Sequence, residues 1–227
     1  MQSHNREMNE DEVRVGGSKS TRPVGSLTVI EALQETRMEH TASRAPFCQQ
    51  TWKRALSIAA RAHGDQKTPH GYPYVVHLTS VAMEVMAAIV PDGMGEDEAN
   101  LALQCALLHD VLEDTPWTTA DLKREDLAES VIAGVQALTK DSALPKSEQM
   151  ANSLRRLCGQ PAAVQRVKLA DRITNLDPPP VHWTAEKIRA YADEAALILQ
   201  TLQSASPSLA RRLEARLADY RAAYPAR

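Results

Sequence analysis

Apolar positions recur every three to four residues through most of the chain, which is the period of an α-helix. Trp52, Leu56, Ala59 and His63 share one helix face, and the glycine that follows them is a natural stop. No stretch alternates for long as a strand does, and no internal repeat is visible. The pattern therefore predicts an all-α fold, a compact multi-helix bundle.

The same period divides the chain into helices separated by loops that contain proline or glycine. The loop DQKTPHGYP precedes the second predicted helix, and three prolines at 178–180 interrupt the chain before the last two. The predicted helices after the first are YVVHLTSVAMEVMAAIV, DEANLALQCALLHDVLED, DLAESVIAGVQALTK, SEQMANSLRRL, PAAVQRVKLADRITNL, and two long ones at about 184–203 and 207–224.

The composition changes near residue 46. Residues 1–46 are polar and of mixed charge, and only a stretch from Val24 resembles a short helix, so we expect a flexible N-terminal extension. Residues 47–227 then form the folded domain. A chain of 227 residues with 4% aromatic residues and abundant alanine favours one well-filled core of closely packed helices.

Charge and cysteine content exclude several classes of protein. The net charge of -3 gives no electrostatic reason to expect nucleic acid or an anionic membrane as a partner. The longest apolar runs are too short to span a bilayer, and the polar N-terminus is unlike a signal peptide. Cys48, Cys105 and Cys158 form no CxxC pair or disulfide framework. We therefore expect a cytoplasmic protein whose oligomeric state the sequence does not fix.

The stretch LLHDVLEDT, residues 107–115, combines the pattern of a buried helix with four titratable groups. On a continuous helix His109 lies beside Glu113, and Asp110 lies beside Glu113 and Asp114. Three adjacent carboxylates repel one another unless a cation or a shared proton neutralises them. A divalent metal bound by His109 and Asp110 removes this cost and leaves the two remaining acids free to orient or deprotonate water.

Two further segments offer metal ligands. His77 lies inside the apolar helix YVVHLTSVAMEV, and Asp171 lies inside VKLADRITNL with Asn175 four residues later on the same face. Singly, such a histidine is more often a core residue and such an aspartate more often an ion-pair partner, but three polar sites on apolar helices favour convergence on one ion. Two histidines and two aspartates suit Mn²⁺ or another first-row divalent ion better than structural zinc.

With these residues identified, the chain resembles the HD superfamily of metal-dependent phosphohydrolases. Within it, the hydrolase domains of the RelA/SpoT homologues are most similar, above all the free-standing small alarmone hydrolases. The resemblance spans roughly residues 50–205 and is carried by AARAHGDQK, GYPYVVH, ALLHDVLEDT, ALTKD followed by LPK, and VKLADRITNL.

The resemblance implies both a site and a reaction. The reaction is metal-dependent removal of the 3′-pyrophosphate from (p)ppGpp, which returns GDP or GTP, so that the implied partner is a small-molecule nucleotide. Basic side chains near the pocket would neutralise its phosphates. The implied residues are His77, His109, Asp110 and Asp171 as ligands of Mn²⁺, Glu113 and Asp114 as the acidic pair that activates water, and Asn175 beside substrate or solvent. Independently of the resemblance, we predict Lys67 and Tyr74 at the border of the pocket, with Lys67 as a phosphate contact. Lys168 and Arg172 share a helix face that could reach the phosphate of the substrate or face solvent.

The departures from the family pattern fall in the substrate pocket. Where alarmone hydrolases carry an Arg-Lys pair, this chain has Lys67 followed by threonine; Leu78 replaces a common proline; and Asp177 begins DPPPVHW. His182 and Trp183 could line the pocket entrance, although packing is the commoner role of such a tryptophan. We therefore expect the residues that bind the metal and activate water to be intact, and the recognition of the base and phosphates of the nucleotide to be altered.

Three functions consequently remain open. The first is hydrolysis of (p)ppGpp or (pp)pApp, with guanine no better supported than adenine. The second is a phosphatase of another nucleotide, such as a deoxynucleotide or NADPH. The third is a non-catalytic HD domain that senses a nucleotide, which the presence of Glu113, Asp114 and Asn175 disfavours because a pure binding module has no need of them.

Overall fold

The structure is a computed structural model that describes residues 46–225. The expected N-terminal extension, apart from its last residue, and the short helix predicted from Val24 lie outside the described residues. The described part is built from α-helices and short loops without a β-strand, which confirms the all-α prediction. No helix in it is long and apolar enough to cross a bilayer.

The helices follow one another with few intervening residues. A 3₁₀ turn, Gln203–Ala205, joins the last two of them. In chain order they are α1 Gln49–His63, α2 Tyr74–Ile89, α3 Glu96–Leu108, α4 Val111–Asp114, α5 Thr119–Arg124, α6 Glu129–Leu138, α7 Lys146–Cys158, α8 Ala162–Asn175, α9 Ala185–Leu202 and α10 Pro207–Ala223.

Local sequence accounts for several helix ends. Gly64 ends α1 with a φ of 51°, a conformation that a residue without Cβ adopts without strain. The hydroxyl of Thr184 accepts a hydrogen bond from the backbone of Lys187 at the start of α9. α10 begins with Pro207, and Ser206 before it accepts from the backbone N–H of Leu209.

The centre of the fold is formed by α3 and α8. At the end of α3 the residues from Cys105 to Leu108 are fully buried, and eight consecutive residues of α8, from Arg166 to Ile173, are buried as well. α3 contacts α1, α2, α6 and α8, while α8 also contacts α2, α9 and α10. Burying an aliphatic side chain contributes about 1.5–3 kcal/mol, so these two helices are firmly held. One predicted metal ligand, Asp171, lies on α8, and another, His109, directly follows α3.

One prediction about the helices was wrong in a way that affects the site. The segment predicted as a continuous helix through Asp114 ends at Leu108, and α4 begins at Val111. Between them Asp110 has φ -96° and ψ -3°, outside the ideal helical geometry. Periodicity does not show this break because Val111 is buried, as are the leucines before it. His109 and Asp110 therefore lie in a turn instead of a continuous helix. The predicted adjacency of Asp110 and Asp114 is kept, since the backbone N–H of Asp114 donates to the carbonyl of Asp110 at 2.8 Å.

Two smaller differences concern the middle of the chain. The helix predicted from Asp126 begins at Glu129 and ends at Leu138. The six-residue α5 is too short for periodicity to reveal, but it begins with a capping box in which Thr118 and Asp121 bond each other's backbone N–H groups.

Candidate active site

The structure brings three predicted metal ligands together from three helical segments. His77 comes from α2, His109 follows the last residue of α3, and Asp171 comes from α8. Each offers one ligand atom, and these three atoms lie within 4.8 Å of one another. The Nε2 atoms of the two histidines are 3.3 Å apart, and each lies 3.6 Å from Oδ1 of Asp171.

Asp110 lies at the edge of the same cluster. Its Oδ2 atom is 3.1 Å from Nε2 of His109 and 3.5 Å from Nε2 of His77. Asp110 therefore adjoins both histidines of the cluster.

This donor set fits a first-row divalent ion. The Nδ1 atom of His109 donates to the backbone carbonyl of Ala106 at 2.8 Å, so that its hydrogen is on Nδ1 and the lone pair of neutral His109 is on Nε2. Two imidazole nitrogens 3.3 Å apart need a cation or a proton between them. Mixed nitrogen and oxygen ligands are those that ions such as Mn²⁺ accept.

Asp171 is fixed by two neighbours on its own helix. Lys168 contacts its Oδ2 at 3.0 Å, and the amide of Asn175 donates to its Oδ1 at 2.5 Å. Burial raises the pKa of Asp171, but Lys168 and then His109 outweigh it and hold the pKa well below its usual range. Asp171 is therefore an anion, as a metal ligand must be. Lys168, predicted at the substrate, has its ammonium engaged by this carboxylate.

The two residues of the predicted acidic pair, Glu113 and Asp114, have different hydrogen-bond partners. Both carboxylate oxygens of Glu113 are held by Lys140, one by its ammonium at 3.1 Å and one by its backbone N–H at 3.0 Å. Asp114 instead accepts a hydrogen bond from the hydroxyl of Tyr74 at 2.6 Å. The pKa of Asp114 is raised, mainly by burial, while the bond from Tyr74 opposes the rise.

Tyr74 joins the acidic pair to the metal cluster. Its hydroxyl also lies 2.7 Å from Oδ2 of Asp110, so one phenol oxygen lies between two carboxylates. Its ring is stacked on His63, with centroids 4.5 Å apart, and His63 is bonded through Nδ1 to Gln66 at 2.8 Å. Burial and both carboxylates raise the pKa of Tyr74, so it remains a neutral donor.

A cavity of about 690 Å³ opens beside this cluster. His109 lies behind its wall and Lys67 is exposed outside it, so that Thr68, Pro69 and His70 form that edge of the cavity instead. The predicted residues that line the cavity are Tyr74, His77, Asp110, Glu113, Asp114, Lys168, Asp171, Arg172 and Asn175.

Arg172 is buried and lines the cavity. One terminal nitrogen contacts Glu194, and its guanidinium lies 4.3 Å from the ring centre of Tyr191. Its Nε and Nη1 atoms have no hydrogen-bond partner. Buried donors in proteins usually have a hydrogen-bond partner, which can be a water molecule.

The three prolines and the residues around them also line the cavity. Asp177, expected to repel phosphate if it faced the site, lies 3.1 Å from Arg216, so its charge has a partner. Trp183 lines the cavity while His182 does not. The ring of Trp183 also packs edge to face on Tyr191, with centroids 5.1 Å apart, and Tyr191 packs on the hydrophobic core.

Several cavity residues were missed by sequence reasoning: Lys140, Tyr191, Glu194 and Tyr220. Of these four residues, only Lys140 could have been recognised from the sequence, because it lies within ALTKD, one of the segments that carry the family resemblance. Its partner Glu113 is 27 residues away in the chain.

Comparisons with known proteins agree with this geometry. The family model described as "HD domain" matches residues 55–213. The human guanosine-3′,5′-bis(diphosphate) 3′-pyrophosphohydrolase MESH1 is 32% identical over 70% of this chain and 89% of its own length. The Aquifex aeolicus guanosine-3′,5′-bis(diphosphate) 3′-pyrophosphohydrolase is also 32% identical, but over 64% of this chain and 20% of its own.

A solved structure supports the same relationship. It is described as that of a metazoan ortholog of SpoT that hydrolyzes ppGpp and plays a role in starvation responses. It superimposes with a TM-score of 0.65 at 25% sequence identity, over 77% of this chain and 98% of the other.

Proposed function

Because the chain belongs to the HD domain family, and within it to the group that contains MESH1, we propose that it removes the 3′-pyrophosphate of alarmone nucleotides, (p)ppGpp or (pp)pApp. The proposal rests on one observation. The predicted metal ligands lie together, and Glu113 and Asp114 line the same cavity beside them. These ligands are His77, His109, Asp110 and Asp171. At about 690 Å³ the cavity falls within the usual range for small-molecule sites.

The four-residue cluster is proposed to hold Mn²⁺ or another first-row divalent ion. When bound, such an ion polarises a phosphoryl oxygen and lowers the pKa of water. The two histidines contribute neutral nitrogen ligands, and the carboxylates of Asp110 and Asp171 balance the charge. Lys168 and Asn175 keep Asp171 in place from the other side.

The chain's own acids are proposed to move the protons of the reaction. Water adds to the phosphorus bonded to the 3′ oxygen, the bond between them breaks, and the products are pyrophosphate and a nucleotide with a free 3′ hydroxyl. A carboxyl group with a raised pKa is a better proton acceptor than an ordinary one, so Asp114 is suited to take the proton from water. Glu113, fixed by Lys140, is placed to orient that water.

Phosphate binding is assigned to cations on the cavity wall. We propose that Lys140 and Arg172, which both line the cavity, help to neutralise the pyrophosphate; each also contacts an acid, Glu113 and Glu194 respectively. Lys67, exposed outside the cavity, and Lys168, paired with Asp171, stay predictions of substrate contact with less support.

We also propose the bounds of the folded domain and a cytoplasmic location. Residues 47–227 are the proposed folded domain, and the HD domain match at 55–213 lies inside it. The cysteines Cys48, Cys105 and Cys158 are all free, which fits the reducing cytoplasm.

The test compares metal-stripped protein with and without Mn²⁺ on ppGpp and ppApp, by following pyrophosphate release. Release that depends on Mn²⁺ and is lost in Asp110→Ala is expected, and the ratio of the two rates identifies the preferred base. Asp219→Ala, an exposed aspartate on α10, is the matched control and should retain full activity.

Two results would contradict the proposal. Nucleotide binding without release of pyrophosphate from either alarmone would favour the non-catalytic sensor. Release of phosphate from NADPH or a deoxynucleotide, with neither alarmone cleaved, would favour the other phosphatase.

A further inference from the structure

Two polar residues that do not line the cavity, His63 and Gln66, contact Tyr74. His63 is the last residue of α1, Gln66 lies in the loop that follows, and Tyr74 is the first residue of α2. These two residues therefore connect the end of α1 to the beginning of the helix that carries the proposed metal ligand His77.

Four contacts hold these three residues together. The backbone N–H of Gln66 donates to the carbonyl of His63 at 3.0 Å, and the backbone N–H of Tyr74 donates to the carbonyl of Gln66 at 2.9 Å. The side-chain oxygen of Gln66 accepts a hydrogen bond from Nδ1 of His63 at 2.8 Å. The rings of His63 and Tyr74 are stacked with an angle of 12° between their planes. Gln66 thus fixes the backbone of Tyr74, and His63 fixes the plane of its ring.

Apolar packing alone does not account for a histidine at position 63. His63 is 5% exposed, and its Nε2 atom is buried without a hydrogen-bond partner in the part of the chain that the structure describes. Burying an unpaired acceptor costs free energy, and an apolar side chain would avoid this cost. A histidine provides both a flat ring and a donor at the edge of that ring, so its orientation can be set by the bond to Gln66.

The position of the Tyr74 ring matters because of what its hydroxyl contacts. The oxygen lies 2.7 Å from Oδ2 of Asp110 and 2.6 Å from Oδ2 of Asp114. His63 covers one face of the ring, and His77 meets it edge to face with centroids 5.5 Å apart. Loss of the stacked ring of His63 would leave that face of Tyr74 unsupported. A misplacement of about 1 Å in a catalytic group can lower the rate on the order of 100-fold.

We propose that His63, held by Gln66, is a positioning residue for the reaction. It keeps the hydroxyl of Tyr74 on Asp114, and Asp114 is thereby oriented toward the water from which it takes the proton. This inference rests on the proposed function and adds to it two residues outside the cavity. Because neither His63 nor Gln66 lines the cavity, both act through Tyr74 and not on the substrate.

The first experiment measures kcat and KM on ppGpp with Mn²⁺. His63→Leu removes the flat ring and its donor, so kcat should fall about tenfold while KM stays within about threefold. The bound metal, measured by elemental analysis, should be unchanged. His182→Leu is the matched control, because His182 is exposed and outside the cavity, and it should retain full activity. Circular dichroism verifies the fold of each variant.

Two milder variants separate the ring from the bond that orients it. His63→Phe keeps a flat ring on Tyr74, and Gln66→Leu keeps His63 and the backbone carbonyl that Tyr74 uses. Each variant removes the same hydrogen bond between the two side chains. Both should therefore lower kcat by a similar factor, about threefold, which is less than the loss in His63→Leu.

The second experiment is a double-mutant cycle between His63→Leu and Tyr74→Phe. If His63 acts through the hydroxyl of Tyr74, the double variant should have the kcat of Tyr74→Phe to within about twofold, because the hydroxyl is already absent. A role of His63 in general stability would instead multiply the two losses.

Crystal structures of the wild type and His63→Leu give a result that does not depend on activity. In the wild type the hydroxyl of Tyr74 should lie within hydrogen-bond distance of Asp114. In His63→Leu that contact should be broken or lengthened beyond hydrogen-bond distance.

The outcomes distinguish this inference from the proposed function. A wild type that cleaves neither alarmone would reject the hydrolase, and displacement of Tyr74 in the His63→Leu crystals would still uphold the positioning role. The inference is overturned by multiplied losses in the double variant, by loss of metal from His63→Leu, or by an unmoved Tyr74 hydroxyl in its crystals. An unchanged kcat in folded His63→Leu would overturn it as well and leave the hydrolase intact.

Discussion

The hydroxyl of Tyr74 carries one hydrogen but lies within 2.7 Å of two carboxylate oxygens, from Asp110 and Asp114. It can donate to only one of them at a time, so the other must share a proton or face a cation. At the scale of single residues this phenol is the direct link between a proposed metal ligand and the proposed proton acceptor. The predicted role of Tyr74 at the substrate is thus joined by a role in positioning Asp114.

Tyr74→Phe tests this role because it removes the hydroxyl and keeps the ring on His63. We expect kcat on ppGpp to fall about tenfold or more, since Asp114 loses its orienting bond. KM and the bound metal, measured by elemental analysis, should change little. An unchanged kcat in a folded, metal-loaded variant would show that the hydroxyl does not position Asp114.

At the scale of elements, α8 is a central helix whose buried basic residues are paired with acids. Arg166, Lys168 and Arg172 are buried, and each has an acidic partner: Glu98, Asp171 and Glu194. A buried charge without a partner is strongly destabilising, so these pairs are what allow a polar site on a central helix.

The contact between α6 and α3 depends on the absence of a side chain. A Cβ atom at Gly134 would lie 2.6 Å from Sγ of Cys105 and 3.0 Å from a methyl group of Val164. Gly134→Ala gains about 1 kcal/mol of helix propensity but overpacks this contact at a cost of about 1–3 kcal/mol.

We therefore expect Gly134→Ala to lower the free energy of unfolding by about 1 kcal/mol, the midpoint of the difference between these two terms, as measured by urea denaturation. Gly159→Ala is the matched control, because a Cβ there meets only a backbone oxygen at 3.4 Å. It should stay within about 0.5 kcal/mol of the wild type. A Gly134→Ala protein as stable as the control would mean that α3 and α6 separate easily.

At the scale of the whole molecule, the metal cluster ties together distant parts of the chain. His77, His109 and Asp171 lie on three segments that form the centre of the fold. An ion bound there is lost when these segments separate, so binding is coupled to global unfolding.

Addition of Mn²⁺ to metal-stripped protein is therefore expected to raise Tm by about 5–10 °C at a hundredfold excess over Kd. His77→Ala removes a ligand and should abolish the shift. Asp219→Ala should preserve it. Calorimetry measures all three, and an equal shift in wild type and His77→Ala would place the ion elsewhere.

The sequence by itself determined the fold class and predicted the residues that could hold a metal ion. Apolar periodicity is a local property, so it predicted most helices correctly, and a histidine or aspartate on an otherwise apolar helix is visible without coordinates. His77, His109, Asp110 and Asp171 could therefore be proposed as one group. The structure brings His77, His109 and Asp171 together and places Asp110 beside the two histidines.

Only the tertiary structure decided how the surrounding residues pair. Tyr74 contacts Asp110 and Asp114 from 36 and 40 residues away, Glu113 pairs with a lysine 27 residues away, and Trp183 lines the cavity. Each of these contacts depends on where a loop or a neighbouring helix comes to lie. Packing between distant segments sets those positions, and the local pattern of residues carries no information about the distances across them.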